Sequence, residues 1–177
     1  MPFTKIKYSQ KDGVTLEWQD SELRQSIEHR LVSSQDPRPE FHAALQEFNR
    51  FVRQLLDLPM SWETGLTIQS VSISQSDAQG RGLVVTALKR LSGCNAPLVL
   101  NTPHLPETAS SEDGPALPAF AIRMLDALEE EAAKYRAGER AQGDLFAAKQ
   151  GSIELVTLAS GGKSVTLTGR SARMSLV

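Results

Sequence analysis

A single cysteine, Cys94, stands in a chain of 177 residues. One thiol can make neither an internal disulfide nor a thiolate cluster, which excludes a stapled secreted scaffold and a cysteine-rich zinc module. Histidine is nearly as scarce. His29, His42 and His104 are scattered, with neither a His-x-x-x-His nor a Cys-x-x-Cys pair, so no metal ligand set and no cofactor are expected. Neither sign of charge dominates: Lys+Arg 19 against Asp+Glu 21 gives −2. That balance excludes a strongly basic nucleic-acid coat, although not a local patch. Long apolar runs are also missing. The longest, around Leu83–Leu88, is broken by Thr86 and falls far short of the roughly 20 residues that span a bilayer. The lysines of Met1–Tyr8 precede no apolar h-region. The expectation is therefore no secretory leader, no membrane partner and a cytoplasmic address.

What is present suits an ordinary globular domain. Hydrophobic residues make up 40% and charged residues 23%, enough apolar surface to offset chain entropy. Residues 3–18 read as a β-hairpin: Ile6 and Tyr8, then Val14, Leu16 and Trp18, alternate with polar residues around Asp12-Gly13. A helix is expected from about Ser21, because Leu23, Ile27 and Leu31 recur every four residues behind Asp20 or Ser21 as N-cap. Pro39 opens a second helix with Phe41, Leu45, Phe48, Val52 and Leu55 on one face, ended by Pro59.

Leu66–Ser74 reads as a strand whose apolar phase slips, which predicts a β-bulge near Gln69-Ser70. The turn Asp77–Gly80 leads to Leu83–Leu88, read as a strand buried on both faces, and Leu98–Leu100 is one more short strand. Thr102–Pro118 holds four prolines and reads as an exposed loop. A third helix is expected from about Pro118 to Ala137, with Gly138 as its stop. Ile153–Leu158 and Val165–Thr168 suggest a C-terminal hairpin.

This order implies an α+β fold: a mainly antiparallel sheet of about five strands, with two or three amphipathic helices on one face. Residues 1–138 would form one domain and 139–151 a connector. Residues 152–177 would be a C-terminal hairpin or flexible tail added to it.

One segment of the connector carries more than fold information. Gln142-Gly143-Asp144-Leu145-Phe146 resembles the bacterial sliding-clamp-binding pentapeptide, whose pattern is Gln, usually Leu, Ser or Asp, Leu, Phe. The resemblance implies that Leu145 and Phe146 fill the apolar pocket of the clamp, that Gln142 hydrogen-bonds at the neighbouring subsite, and that Asp144 takes the third position. Gly143 replaces the usual Leu, which implies weaker affinity. The physical logic stands alone: a short peptide needs one or two large apolar anchors desolvated in a preformed pocket. Leu145-Phe146, past the Gly138 stop and an otherwise polar stretch, supplies them. The competing reading docks both side chains on the protein's own core. The stretch Asn95–Leu105, together with Ala141–Phe146, further resembles small uncharacterised proteins of tailed bacteriophages and prophages over residues 3–146. A clamp ligand suits such an origin.

Other chemistry is weaker. Cys94, Asn101 and His104 are close in sequence, but proximity along the chain does not supply triad geometry. Gly162-Lys163-Ser164 lacks the earlier glycine of a P-loop, Thr157 standing at that position. Glu129–Glu131 reads as a solvated helix face. Lys5, Lys7 and Lys11, with Tyr8 and Trp18 as stacking rings, are the residue types of a single-stranded DNA binder. The same alternation also describes a half-buried hairpin whose lysines guard an edge. The expected function is a non-enzymatic phage-type accessory protein of DNA replication, repair or recombination that binds the sliding clamp. The alternative is a single-stranded DNA-binding module built on the hairpin.

Overall fold

The computed structural model describes residues 2–22, 25–93, 95–108, 114–141, 154–159 and 164–168. Chain order runs β1 (Phe3–Ser9), β2 (Gly13–Glu22), β3 (Gln25–Ser33), α1 (Pro39–Leu55), a 3-10 turn (Met60–Trp62), β4 (Leu66–Ser76), β5 (Gly80–Lys89), β6 (Leu98–Asn101), β7 (Leu105–Pro106), α2 (Ala119–Arg136), β8 (Glu154–Ala159) and β9 (Ser164–Thr168). The fold is α+β with an antiparallel sheet, in the order β6-β5-β4-β1-β2-β3-β8-β9, and β7 pairs β5 beyond β6. Among the described residues seven strands precede α2 and two follow it, where about five strands and a hairpin are expected from the sequence.

The largest departure is β3. The expected helix from Ser21 is a strand, antiparallel to β2, with Leu31 opposite Leu16 and His29 opposite Trp18. A spacing of four residues satisfies a helical face, but it is also twice the strand period, so Ile27 and Leu31 fit either. Pairing decided: β2 offered a free edge, and the Trp18 ring stacks on His29 at 5.2 Å between centroids. The other edge of β3 takes β8, Glu154 lying opposite Val32. The C-terminal strands thus continue the main sheet, as an antiparallel pair close to the predicted hairpin.

Alternation makes the sheet one-sided. Ile6, Val14, Leu16, Trp18, Leu31, Val71, Ile73, Leu83, Val85 and Ala87 are buried on the face covered by the helices. α1 packs on β4, β5 and α2. It presents Phe41, Leu45, Phe48, Phe51 and Val52 inward, each almost fully buried, a burial worth about 1.5–3 kcal/mol per side chain. β5 is therefore not buried on both faces: Val84, Thr86 and Leu88 point to the outer, partly exposed side. The expected bulge is present, as the β4–β5 register shifts between Ile68 and Ser70 and leaves Gln69 extra. The proline-rich loop is less exposed than its composition suggests. Leu105 and Leu117 are buried in the core, and Thr102 Oγ1 accepts the Val85 N–H at 2.9 Å.

α2 ends where its glycine dictates. Gly138 has φ +104, the Gly138 N–H donates to Tyr135 O, and the Glu139 N–H donates to Lys134 O. This is the double closure of a Schellman cap. Among the described residues no helix is long and apolar enough to cross a membrane.

Candidate functional site

Gln142, Asp144, Leu145 and Phe146 lie outside the described residues, as does Cys94. The structure does define what holds the chain on either side of the pentapeptide. The Ala141 N–H donates to Asp36 O at 3.1 Å. The Arg140 guanidinium lies 3.5 Å from the Tyr135 ring centroid, bonds Tyr135 O, and donates to Gln35 Oε1 at 3.1 Å. Arg38 pairs with Glu139 and Glu131, each at 2.8 Å. The exit from α2 is therefore pinned up to Ala141.

The hairpin residues divide between two faces. Lys5 stands opposite Glu17 and Ser72, and Lys7 opposite Thr15 and Ser70, all on the outer face and none of them aromatic. Trp18 is buried on the other side, stacked on His29 with the Arg136 guanidinium 5.2 Å from its ring centroid. It is not available to stack a base. Tyr8 shares that inner side, its ring edge-to-face with His42 at 4.3 Å.

Tyr8 also lines a groove. β1 pairs β4 only over Lys5–Lys7 and Ser70–Ser72. The bulge ends that pairing, and the backbone of Ile68 is taken over by α1. The Ile68 N–H donates to Gln46 Oε1 at 3.0 Å, and Gln46 Nε2 donates to Ile68 O at 3.2 Å. One side-chain amide thus replaces a strand neighbour, because it carries both a donor and an acceptor. Beside it opens a groove of about 850 Å³, walled by the β1–β2 turn (Tyr8–Lys11), by His42 and Gln46, by Gly65 and Thr67–Gln69, and by Leu88, Arg90, Asn95 and Pro97.

Burial pushes the Tyr8 hydroxyl above its ordinary range, with Asp36 adding to the effect. It holds His42 below the ordinary histidine value against the pull of Asp36. Replacing Gln46 with Leu is expected to cost about 1–2 kcal/mol in urea unfolding, since two backbone groups lose their partner together. A loss below a few tenths would mean water substitutes freely.

At the β7 end, Arg81 gathers three carboxylates: Glu107 at 2.9 Å, Asp126 at 2.8 Å and Glu129 at 2.7 Å. Arg81 and Glu129 are about four-fifths buried, at 19% and 21% side-chain exposure. Hydrogen bonding to Glu107 raises the Arg81 pKa further. The Arg81 side chain holds Glu107 below the usual carboxylate range, whereas burial pushes Glu129 above it despite the same guanidinium.

This cluster clamps α2 to the sheet. Arg81→Met is expected to cost about 2 kcal/mol near pH 7, below the 3–5 of a fully buried pair because water still reaches the group. A lowered Glu107 stabilises the fold above its unfolded pKa, near 4.5, and that contribution fades as pH falls through the folded value. A raised Glu129 does the reverse, and losing Arg81 raises it more. The gap between variant and wild type should therefore narrow as pH falls toward and below about 4.5; denaturant melts giving a constant gap from about pH 7 to 3 would contradict this account.

His104 and Asn101 take separate partners. His104 Nε2 lies 2.8 Å from Ser74 Oγ, and Asn101 Oδ1 accepts from Thr86 Oγ1 at 2.8 Å. Gly82 makes the first pair possible, since a Cβ there would fall 2.0 Å from His104 Nε2 and 2.4 Å from Ser74 Oγ. A serine hydroxyl on an imidazole is half of a nucleophile-activating arrangement. Thirty residues separate the two, so no local spacing could have revealed them. Among the described residues no third side chain hydrogen-bonds the ring. No family model, no curated protein and no solved structure matches this chain.

Proposed function

We propose that this protein is a non-enzymatic, phage-type accessory factor of DNA replication, repair or recombination that engages the bacterial sliding clamp through Gln142, Asp144, Leu145 and Phe146. It would act in the cytoplasm of a bacterial host. The observation that carries the reading is the place of the pentapeptide between two fixed points. Ala141 is tied to Asp36, and Glu154 is paired with Val32. The four links from Val32 to Asp36 reach at most about 14 Å. One strand spacing and one hydrogen bond bring the gap to about 22 Å at most. The thirteen links from Ala141 to Glu154 reach about 43 Å or more when extended. The contour length is about twice what closing the gap requires, which leaves the Leu-Phe pair enough chain to project.

The test uses the full chain and purified bacterial clamp, by surface plasmon resonance with a peptide of residues 141–147 as competitor. Saturable binding displaced by the peptide is expected. No binding at about 100 μM, equivalent to less than about 5.5 kcal/mol of affinity, would end this reading. For the single-stranded DNA-binding alternative, Lys5 and Lys7 lie on the opposite face of the sheet from Tyr8. Tyr8 and Lys11 remain together, in the groove.

A further inference from the structure

We propose that the groove between the β1–β2 turn and the β4–β5 end is a binding site for a nucleotide unit, a planar base carrying a phosphate. Three features of its lining point to that chemistry. The first is charge: Lys11 and Arg90 are exposed at the groove, and neither makes an ion pair among the described residues. No described lining residue is acidic. Two cationic side chains therefore sit at the groove, where a phosphate would meet them, while the Asp36 carboxylate acts on the Tyr8 and His42 wall from outside the lining.

The second feature is hydrogen-bonding pattern. Gln10, Gln69 and Asn95 contribute side-chain amides, each with a donor and an acceptor, the complement that base edges require. Gln46 is not among them, because its amide is spent on Ile68. The third is the ring pair. Tyr8 and His42 meet edge-to-face, an arrangement that uses one face of one ring and an edge of the other, leaving π-surface for a third ring to stack. A groove of about 850 Å³ lies within the usual size of small-molecule sites.

The four elements that build it converge through tertiary structure, with Lys11 and Arg90 far apart in the chain. The proposal does not rest on the clamp reading. It uses none of residues 142–146, so either can fail alone.

The nucleotide could arrive free or as part of a single strand, and calorimetric titration of the full chain separates the two. The probes are dTMP, an eight-residue oligothymidylate and inorganic phosphate, in low-salt buffer. The variants are Lys11→Ala and Arg90→Ala, singly and together, both exposed positions that leave the core intact, and Arg123→Ala on α2 as a control outside the groove that matches each single variant in charge. Binding of dTMP as tight as the oligomer assigns a free nucleotide, and tighter oligomer binding assigns a strand; either supports the site. The double variant should weaken binding by at least about 10-fold. For the oligomer it should also lower the salt slope by about 1.4, the share of two phosphate contacts on a single strand. Three results would overturn the proposal: no binding of either nucleotide at about 1 mM, phosphate binding as well as dTMP, or a loss in Arg123→Ala equal to that in each single groove variant.

Discussion

Replacing Leu145 and Phe146 together by alanine is expected to remove clamp binding and to leave the unfolding curve of the protein unchanged. The two anchors of a short linear ligand carry most of its affinity, because they alone are large enough to be desolvated in a pocket. Truncating each costs about 2 kcal/mol or more, so the pair should cost about 4 kcal/mol, a factor near 1,000. Micromolar binding would become undetectable. The unfolding measurement separates this from the competing role of the same side chains. If Leu145 and Phe146 instead anchor the protein's own core, the double substitution should lower stability by several kcal/mol, as large-to-small changes in cores do. That outcome would remove the clamp assignment together with its motif. Gly143→Leu gives the opposite prediction: restoring the usual side chain should strengthen binding about 5-fold, from added contact and a stiffer chain. A neutral or weaker result would mean that the second position of the motif faces away from the clamp.

Gly13→Ala is expected to destabilise the fold by about 3 kcal/mol, the sum of two independent penalties. Gly13 has φ +77, a left-handed backbone that costs an alanine about 1 kcal/mol. A Cβ there would also stand 2.1 Å from Ser33 O and 2.7 Å from Ser34 Cα, both backbone atoms of the end of β3 and the residue after it. Backbone cannot turn aside as a side-chain tip can, so the third strand must shift, at about 1–3 kcal/mol. Thermal melts should show a fall of about 6–12 °C for a domain of this size. Asparagine tolerates the left-handed region but has the same Cβ, so Gly13→Asn should be nearly as damaging. If asparagine is close to wild type, the steric term is wrong. Because Gly13 closes the turn that carries Gln10 and Lys11, a shifted hairpin should also weaken groove binding.

Much of this architecture was legible in residue patterns. α1 reads off as a long amphipathic stripe opened by Pro39, and α2 as a stripe ended by Gly138, because both signals are local. A stripe repeats every 3.6 residues, and a proline or glycine acts through its own φ. The bulge at Gln69 was legible for the same reason: inserting one residue flips the alternation within a single strand. β3 was not, since Ile27 and Leu31 satisfy helix and strand alike, and only the free edge of β2 chose between them. The burial of Leu105 and Leu117 was hidden by the prolines around them.

Functional legibility divides along the same line. The pentapeptide is a contiguous string, so its five residues could be read directly, whereas the groove could not. Tyr8 comes from β1, His42 and Gln46 from α1 and Arg90 from the residue after β5, and only His42 and Gln46, one helical turn apart, share a spacing. Lys5 and Lys7 appear beside Tyr8 in sequence yet leave from opposite faces, as strand alternation requires.

The order of amino acids by itself determined α1, α2, the glycine stop of α2, the phase slip in β4 and the Leu-Phe pair, each of which depends on interactions between near neighbours. Tertiary structure alone decided that the 25–33 segment is a strand, that the C-terminal strands extend the sheet through β3, that Arg81 gathers three carboxylates, and that an acid-free groove opens where β1 and β4 cease to pair. Those outcomes turn on which distant surfaces meet, and the free energy of such meetings has no signature in any short window of sequence.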